Sequence, residues 1–330
     1  MNNEWNFYEA MREEVMNRRN LLQTAATVAG IGLFATEAEI ARAAAATQTA
    51  ANSATRFSPF LETRDGAVLY SKEWPERKSA GGKKTFIFVH SWSMNSAMWQ
   101  YQMLPLTERG YRCFAYDQRG HGRSSDPGRG YDCDTLADDL AEVMEKFDLR
   151  DAVMVGHSMS PGTITRYVTR HGVERVRKVV MIAPTLPFIL KTADNPDGIN
   201  ETVLAQQRAE WTRNFPAWLG ANARTFFVPD TPQEMVDWVK RMAMSASLRG
   251  LVDLNHTVTE TDFRAELKKF PVPTLVIHGT ADVSAQLDLT GRRTAALIPG
   301  AHFKVYEGAP HGLMFTHTDR LNADLIEFAG

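Results

Sequence analysis

The sequence predicts an α/β protein: a doubly wound, mostly parallel sheet of eight strands with a helical cap inserted late in the chain. Three observations predict it. Continuous apolar, β-branched runs recur, as strands buried on both faces require. Helical segments lie between most of those runs. The alternation then breaks between about residues 185 and 261, where the chain is helix-rich, and resumes afterwards. The length of 330 residues suits one large domain with an insertion.

The elements follow in order. "FLETRDGAVLYSKEW" holds two alternating runs around Asp65-Gly66, which reads as a hairpin. "KTFIFVH", "YRCFAYD", "AVMVGH", "VRKVVMIAP" and "PTLVIHG" are buried strands, and "HFKVYEG" is a weaker last one. "AMWQYQMLPLTERG", "TLADDLAEVMEKFD" and "GTITRYVTRHG" are the intervening helices. In the second, Leu136, Leu140, Val143, Met144 and Phe147 form an apolar stripe, which is core packing. Residues 58–184 and 262–330 are therefore assigned to the sheet domain and 185–261 to the cap. The cap has no strong strand run and carries aromatic clusters around Trp211, Phe215–Trp218, Phe226–Phe227 and Trp238. Folded over the carboxyl edge of the sheet, it would give a ligand an apolar wall, with Trp211 and Trp218 as candidate pocket residues.

Apolar content of 44% and charged content of 23% are those of a globular chain. The formal net charge is −2, with no basic stripe, so charge gives no support to nucleic-acid binding. Two cysteines, Cys113 and Cys133, are too few for a disulfide scaffold. They read as free thiols, with a single bridge left open for a chain that matures outside the cytosol. No His/Cys/Asp cluster has metal-ligand spacing, and no phosphate-cradling loop appears, so no metal or cofactor is expected.

The N-terminal stretch has a different character. Arg18 and Arg19 precede sixteen uncharged residues from Leu21, and Ala41-Arg42-Ala43 fits a small-residue cleavage site. Residues 1–43 resemble a twin-arginine export signal, with Met16 as an alternative start. The apolar run is shorter than the about 20 residues of a membrane span, so no stable membrane anchoring is expected after removal of the signal. The expected location is periplasmic or extracellular. Residues 44–57, rich in Ala, Thr and Ser, read as a linker.

Ligands of open α/β sheets bind at the carboxyl ends of the strands. Ser91 and Trp92 follow "TFIFVH", Asp117 follows "YRCFAY", Ser158 follows "AVMVGH", Asp282 comes soon after "TLVIH", and His311 follows "HFKVYEGAP". These residues share one edge although they are distant in sequence. A serine hydroxyl is a poor nucleophile until an adjacent base takes its proton, and that base needs an orienting acid. Ser158, His311 and Asp282 supply the three types. "VGHSMSPG" places Ser158 between Gly156 and Ser160, small residues that let a sharp strand-to-helix turn close.

These motifs give the chain a family likeness. "HSWSMNSAMWQYQMLPL", "GYRCFAYDQRGHGRSSDP", "VGHSMSPGTITRYVTRHG", "LKTADNPDG", "LVIHGTADV" and "APHGLMF" resemble the α/β-hydrolase superfamily. Within it they resemble the cofactor-free haloperoxidase (perhydrolase) and aryl-esterase group. The likeness covers roughly residues 58–330. It implies Ser158 as nucleophile, Asp282 as acid and His311 as general base. It also implies an oxyanion hole from the backbone N–H groups of Trp92 and Met159, and a structural turn at "DQRGHGRS". Two departures stand out: Ser91 and Ser160 occupy positions where the group usually has glycine. Ser91 lies beside the oxyanion hole and is a candidate pocket residue. Each serine is expected to cost about 1 kcal/mol if its backbone torsions suit only glycine.

The expected activity is metal-free serine hydrolysis of small carboxylic esters or lactones through an acyl-enzyme. Perhydrolase or haloperoxidase activity would use the same residues, as a side or main reaction. Amide, lactam or carbon–carbon cleavage and a non-catalytic ligand-binding role are the alternatives. A dehalogenase or epoxide hydrolase is disfavoured, because the nucleophile there is Asp.

Overall fold

A computed structural model describes residues 58–75 and 84–330. The export signal read at residues 1–43 and the linker at 44–57 lie outside the described residues. Eight strands form one sheet: β1 (Phe60–Glu62), β2 (Val68–Trp74), β3 (Thr85–Val89), β4 (Arg112–Tyr116), β5 (Ala152–His157), β6 (Val176–Ile182), β7 (Thr274–Gly279) and β8 (His302–Tyr306). Their order is β1-β2-β4-β3-β5-β6-β7-β8. β2 pairs antiparallel with β1 and β4, and every other pairing is parallel.

The chain runs outward from β3 to β4 in one direction and from β5 to β6 in the other. β3 and β5 are therefore neighbours whose following segments diverge, which opens a crevice beyond their carboxyl ends. Trp92 and Ser158 lie just past those two ends.

Strand pleating divides the apolar runs between two cores. Phe86, Phe88, Val153, Val155, Val180 and Ile182 face one, and Ile87, Val89, Met154, Val179 and Met181 face the other. β3, β5 and β7 are buried along their whole length, which is why they read as unbroken apolar runs rather than alternating ones. Helix α1 (Gln100–Glu108) contributes Met103 and Leu106 to the first core, whereas α2 (Cys133–Lys146) and α3 (Ser160–His171) cover the second. α2 begins where the Asp132 carboxylate accepts the Thr135 N–H at 2.8 Å, and it ends with Lys146 in its last turn, matching the helix dipole. Cys113 and Cys133 are buried free thiols on opposite sides of the sheet.

Between β6 and β7 the chain forms α4 (Glu201–Asn222), α5 (Gln233–Ala243), α6 (Leu248–Glu260) and a short α7 (Arg264–Leu267). α4 breaks at Asn214, whose φ of −163° and ψ of 79° are not helical. Pro216 lacks the N–H that an unbroken helix would use, and its ring would clash with the carbonyl four residues back. Asn214 turns the break into a new start, because its side-chain oxygen accepts the Ala217 N–H at 3.0 Å. The kink gathers Trp211, Phe215 and Trp218 into one aromatic cluster. α8 (Gly291–Leu297), α9 (Leu313–Thr316) and α10 (Thr318–Ala329) complete the chain.

The "DQRGHGRS" turn after β4 is a built scaffold. Asp117 accepts the Ser96 and Arg123 amides at 2.7 and 2.9 Å. Arg119, with its side chain 1% exposed, donates twice to Asp139 at 2.7 Å and also binds Asp65 in the β1–β2 turn. This ties the hairpin, the turn and α2 together. Breaking a buried ion pair by removing one partner leaves an uncompensated charge and costs several kcal/mol. Asp139→Ala is thus expected to destabilise the protein by about 3 kcal/mol or more in urea unfolding. Asp65→Ala, at the exposed end of the network, is expected to cost less. The reverse order would contradict this account of the turn.

Candidate active site

A strained turn lies at the end of β5. Ser158 has φ of +60°, a left-handed conformation that side chains other than glycine rarely adopt. Its backbone is held there from both ends. The Ser158 N–H donates to Ile182 at 2.9 Å, and its carbonyl accepts the Thr185 N–H at 2.9 Å and the Thr185 hydroxyl at 3.1 Å. Gly156 is required by close approach, because a Cβ there would lie 2.8 Å from Ile164 and 3.0 Å from the Pro161 nitrogen. The turn therefore lifts Ser158 off the sheet toward the crevice.

Three sequence-distant side chains meet there. His311 Nε2 lies 3.0 Å from Ser158 Oγ, and His311 Nδ1 lies 2.6 Å from Asp282 Oδ2. All three are buried. Asp282 also receives the Ser284 and Ala285 amides on Oδ1 at 2.9 and 2.8 Å, and His278 Nε2 lies 3.0 Å from its Oδ2. Burial disfavours the Asp282 carboxylate, but His311, His278 and the Ala285 amide more than offset it and hold its carboxyl well below the usual range. Since the carboxylate accepts from His311 Nδ1, the imidazole turns Nε2 toward the serine as a proton acceptor.

The amides expected to bind an oxyanion border the same space. Trp92 and Met159 line a cleft of about 690 Å³ together with Ser158 and His311. Neither backbone N–H has an acceptor among the described residues. The indole of Trp92 donates to the Leu251 carbonyl on α6 at 2.9 Å, and its ring packs against Trp211 with centroids 4.5 Å apart. Ser91, Trp211 and Trp218 all line the cleft, as do Leu219, Phe226 and Phe227. Besides His311, Glu210 and Lys240 are the acidic and basic side chains among the described lining residues. Among the described residues no group of three or more His, Cys, Asp or Glu side chains could hold a metal ion.

Other histidines near the site hold backbone in place. His90 Nδ1 donates to the Ser91 carbonyl at 2.8 Å and Nε2 accepts the Gln118 amide at 2.8 Å; burial lowers its pKa to about 4. His157 is pushed well below the ordinary value by burial and by the neighbouring His311 charge.

The two serines at glycine positions do not carry the expected backbone cost. Neither Ser91 nor Ser160 has a positive φ. Ser160 instead bonds the turn together: its hydroxyl lies 2.8 Å from the Val89 carbonyl and 2.9 Å from the His157 carbonyl, and accepts the His157 N–H at 2.9 Å. It links the ends of β3 and β5, the two strands that deliver Trp92 and Ser158.

Sequence reasoning missed His278, which reads as one more residue of a buried strand. Its signal was a histidine in the apolar run "TLVIHG", four positions before Asp282. It also missed the contact between Phe226 and His311, whose rings lie 5.5 Å apart. Only an aromatic pair at Phe226–Phe227 marked that place.

Against known proteins, the profile of the alpha/beta hydrolase family matches residues 86–324. The chain belongs to this family. One relative within it is a non-heme chloroperoxidase of Kitasatospora aureofaciens, 39% identical over 82% of this chain and 98% of that protein. A bifunctional esterase/perhydrolase of Acinetobacter calcoaceticus is 33% identical over 82% and 98%. Among solved structures, a bromoperoxidase from Bacillus anthracis superposes with a TM-score of 0.74 at 31% identity, covering 80% of this chain and 96% of that one. An esterase from Exiguobacterium antarcticum gives 0.78 at 25% identity, covering 83% and 99%.

Two predictions follow from the packing of this alpha/beta hydrolase site. Ser160→Gly removes the acceptor of the His157 amide and the one O–H shared between the Val89 and His157 carbonyls in a buried turn, so it is expected to cost about 1–3 kcal/mol, read as a lowered melting temperature. An unchanged or raised value would contradict the role given to the hydroxyl. Asp282 titrates lower in the folded chain than its ordinary value of 3.8. Its contribution to stability is therefore complete above about pH 4 and is lost as the pH falls below it. The stability gap between wild type and Asp282→Asn should accordingly narrow below pH 4 in acid-unfolding curves, and a gap that widens there would contradict the sign.

Proposed function

We propose that the protein is a serine hydrolase that cleaves small carboxylic esters or lactones through an acyl-enzyme. The observation that carries this reading is the relay from Ser158 to His311 to Asp282, beside two amides without acceptors in one cleft. His311 Nε2 takes the proton of Ser158 Oγ as the oxygen attacks the substrate carbonyl. The negative charge that develops on the carbonyl oxygen is met by the N–H groups of Trp92 and Met159; one such donor typically contributes 10²–10³ in rate, or about 3–4 kcal/mol. Asp282 keeps the imidazole in the needed tautomer and stabilises it once protonated. His311 then gives its proton to the departing alcohol oxygen. Water, deprotonated by His311, attacks the acyl group, releases the acid and restores Ser158.

The cleft favours an uncharged substrate with an apolar or aromatic group, since aromatic and aliphatic side chains dominate the wall next to the oxyanion donors. Perhydrolysis as the main activity is a second reading, favoured by the chloroperoxidase and esterase/perhydrolase relatives. Hydrogen peroxide would then replace water in attacking the acyl-enzyme, giving a peracid and free Ser158; the peracid would oxidise halide away from the site. We also read residues 1–43 as an export signal of the twin-arginine type, which supports action in the periplasm or outside the cell.

A panel of p-nitrophenyl esters, lactones and amides, run with and without peroxide and halide, separates these readings. Ester or lactone turnover is expected to dominate. Dominant amide cleavage, or turnover only with peroxide, would replace the primary reading, and a folded protein with no turnover in any arm would favour a binding role. Ser158→Ala should lower ester turnover by about 10⁴-fold or more without lowering the melting temperature. Ser158→Gly should be inactive and more stable, because glycine accepts the left-handed turn without strain. Retained turnover in Ser158→Ala would contradict the nucleophile assignment.

A further inference from the structure

The imidazole of His311 must stay aligned with two partners at once, yet it rides on the loop between β8 and α9, outside any regular element. The start of that loop is tied to the β7 end, where the Ala309 carbonyl accepts the Ala281 N–H at 3.1 Å and the Gly308 N–H donates to the Thr280 hydroxyl at 2.8 Å, and the His311–Gly312 peptide unit is held separately. Its carbonyl, that of His311, faces His157 Nε2 at 2.9 Å. A carbonyl only accepts, so His157 carries its proton on Nε2 and donates. Its other nitrogen, Nδ1, is buried without a partner, as the neutral Nε2–H tautomer allows. The N–H of the same peptide unit, on Gly312, donates to the Phe226 carbonyl at 3.0 Å. Each clamping residue also lays its ring against the imidazole: His157 at 4.6 Å and Phe226 at 5.5 Å between centroids. Gly312 is what permits the approach, because a Cβ there would lie 2.3 Å from the Phe226 carbonyl oxygen and 2.5 Å from its ring.

The two arms of this clamp come from different parts of the fold. His157 is the last residue of β5 and immediately precedes Ser158. Phe226 ends the short turn after α4 and itself lines the cleft. We propose that His157 and Phe226 are positioning residues that grip the His311–Gly312 peptide and lock the base to the nucleophile's strand on one side and to the substrate-binding helices on the other. This rests on the reading of His311 as general base. Misplacing a catalytic group by about 1 Å can cost on the order of 100-fold in rate. The clamp therefore acts on the proton-transfer step rather than on substrate affinity.

The experiment measures p-nitrophenyl acetate turnover and the rate of fluorophosphonate labelling in the full chain and four variants. Gly312→Ala and His157→Phe are expected to lower kcat and the labelling rate together by on the order of 10–100-fold, with KM little changed; Phe226→Ala is expected to show the same loss in kcat and labelling, with a rise in KM besides because Phe226 also lines the cleft. His157→Gln, which retains an N–H donor, is expected to recover most of what His157→Phe loses. The far-downfield proton resonance of His311 Nδ1–H should broaden in the three slow variants and be restored in His157→Gln. If Phe226→Ala does not fold, Phe226→Leu keeps the apolar volume and removes the ring, and the same loss is expected. Folded variants that raise KM while kcat and labelling stay at the wild-type level would overturn the clamp. Labelling distinguishes the two layers of inference. A wild-type chain that resists the fluorophosphonate sinks the hydrolase reading itself, whereas a wild-type chain that labels, with variants labelling equally fast, sinks only the clamp.

Discussion

The left-handed backbone at Ser158 is the constraint around which the rest of the site is arranged. At φ of +60° the residue stores strain that a loop would release by relaxing. It persists because Gly156 lets Ile164 and Pro161 close in, because Ile182 and Thr185 hold its backbone, and because Ser160 braces the ends of β3 and β5. The same turn sends the Met159 amide and the Ser158 hydroxyl to one crevice. Strain at one residue is thus over-determined by packing and hydrogen bonds at six others, and the sheet supplies that support because β5 is buried at its centre.

Electrostatics completes what geometry begins. Asp282 is nearly enclosed, and an unpaired carboxylate there would be costly. Two amides and two imidazoles surround it instead, so it remains charged and orients His311. Two cap helices then close the aromatic side of the cleft, with Trp92 tied to α6 and packed at a tilt against Trp211 of α4. The cleft is therefore assembled from both parts of the chain, the sheet giving reactive groups and the helices giving shape.

Much of this was legible in the sequence where one local signal decides the outcome. Buried parallel strands announce themselves as apolar runs, and Asp65-Gly66 marks the hairpin. Ser158, Asp282 and His311, which the structure brings into contact, each come soon after a strand run. The rest depends on contacts between distant residues. Asn214 and Pro216 look like ordinary helix residues and a breaker, and only together do they form a break and a fresh helix start. Ser160 read as an imperfect glycine because its three hydrogen-bond partners lie on two strand ends. His278 passed for strand, and the Phe226 carbonyl's partner at Gly312 has no local signature at all.

The central claim is that Ser158 carries the acyl group between two half-reactions. Its most direct test is to quench the enzyme in acid during turnover of a p-nitrophenyl ester and map the modified peptide by mass spectrometry. An acyl group on Ser158, appearing with the first equivalent of p-nitrophenol and discharging with the steady-state rate, is the predicted result. Acylation at another residue, or p-nitrophenol release with no acylated peptide at any time point, would contradict the account.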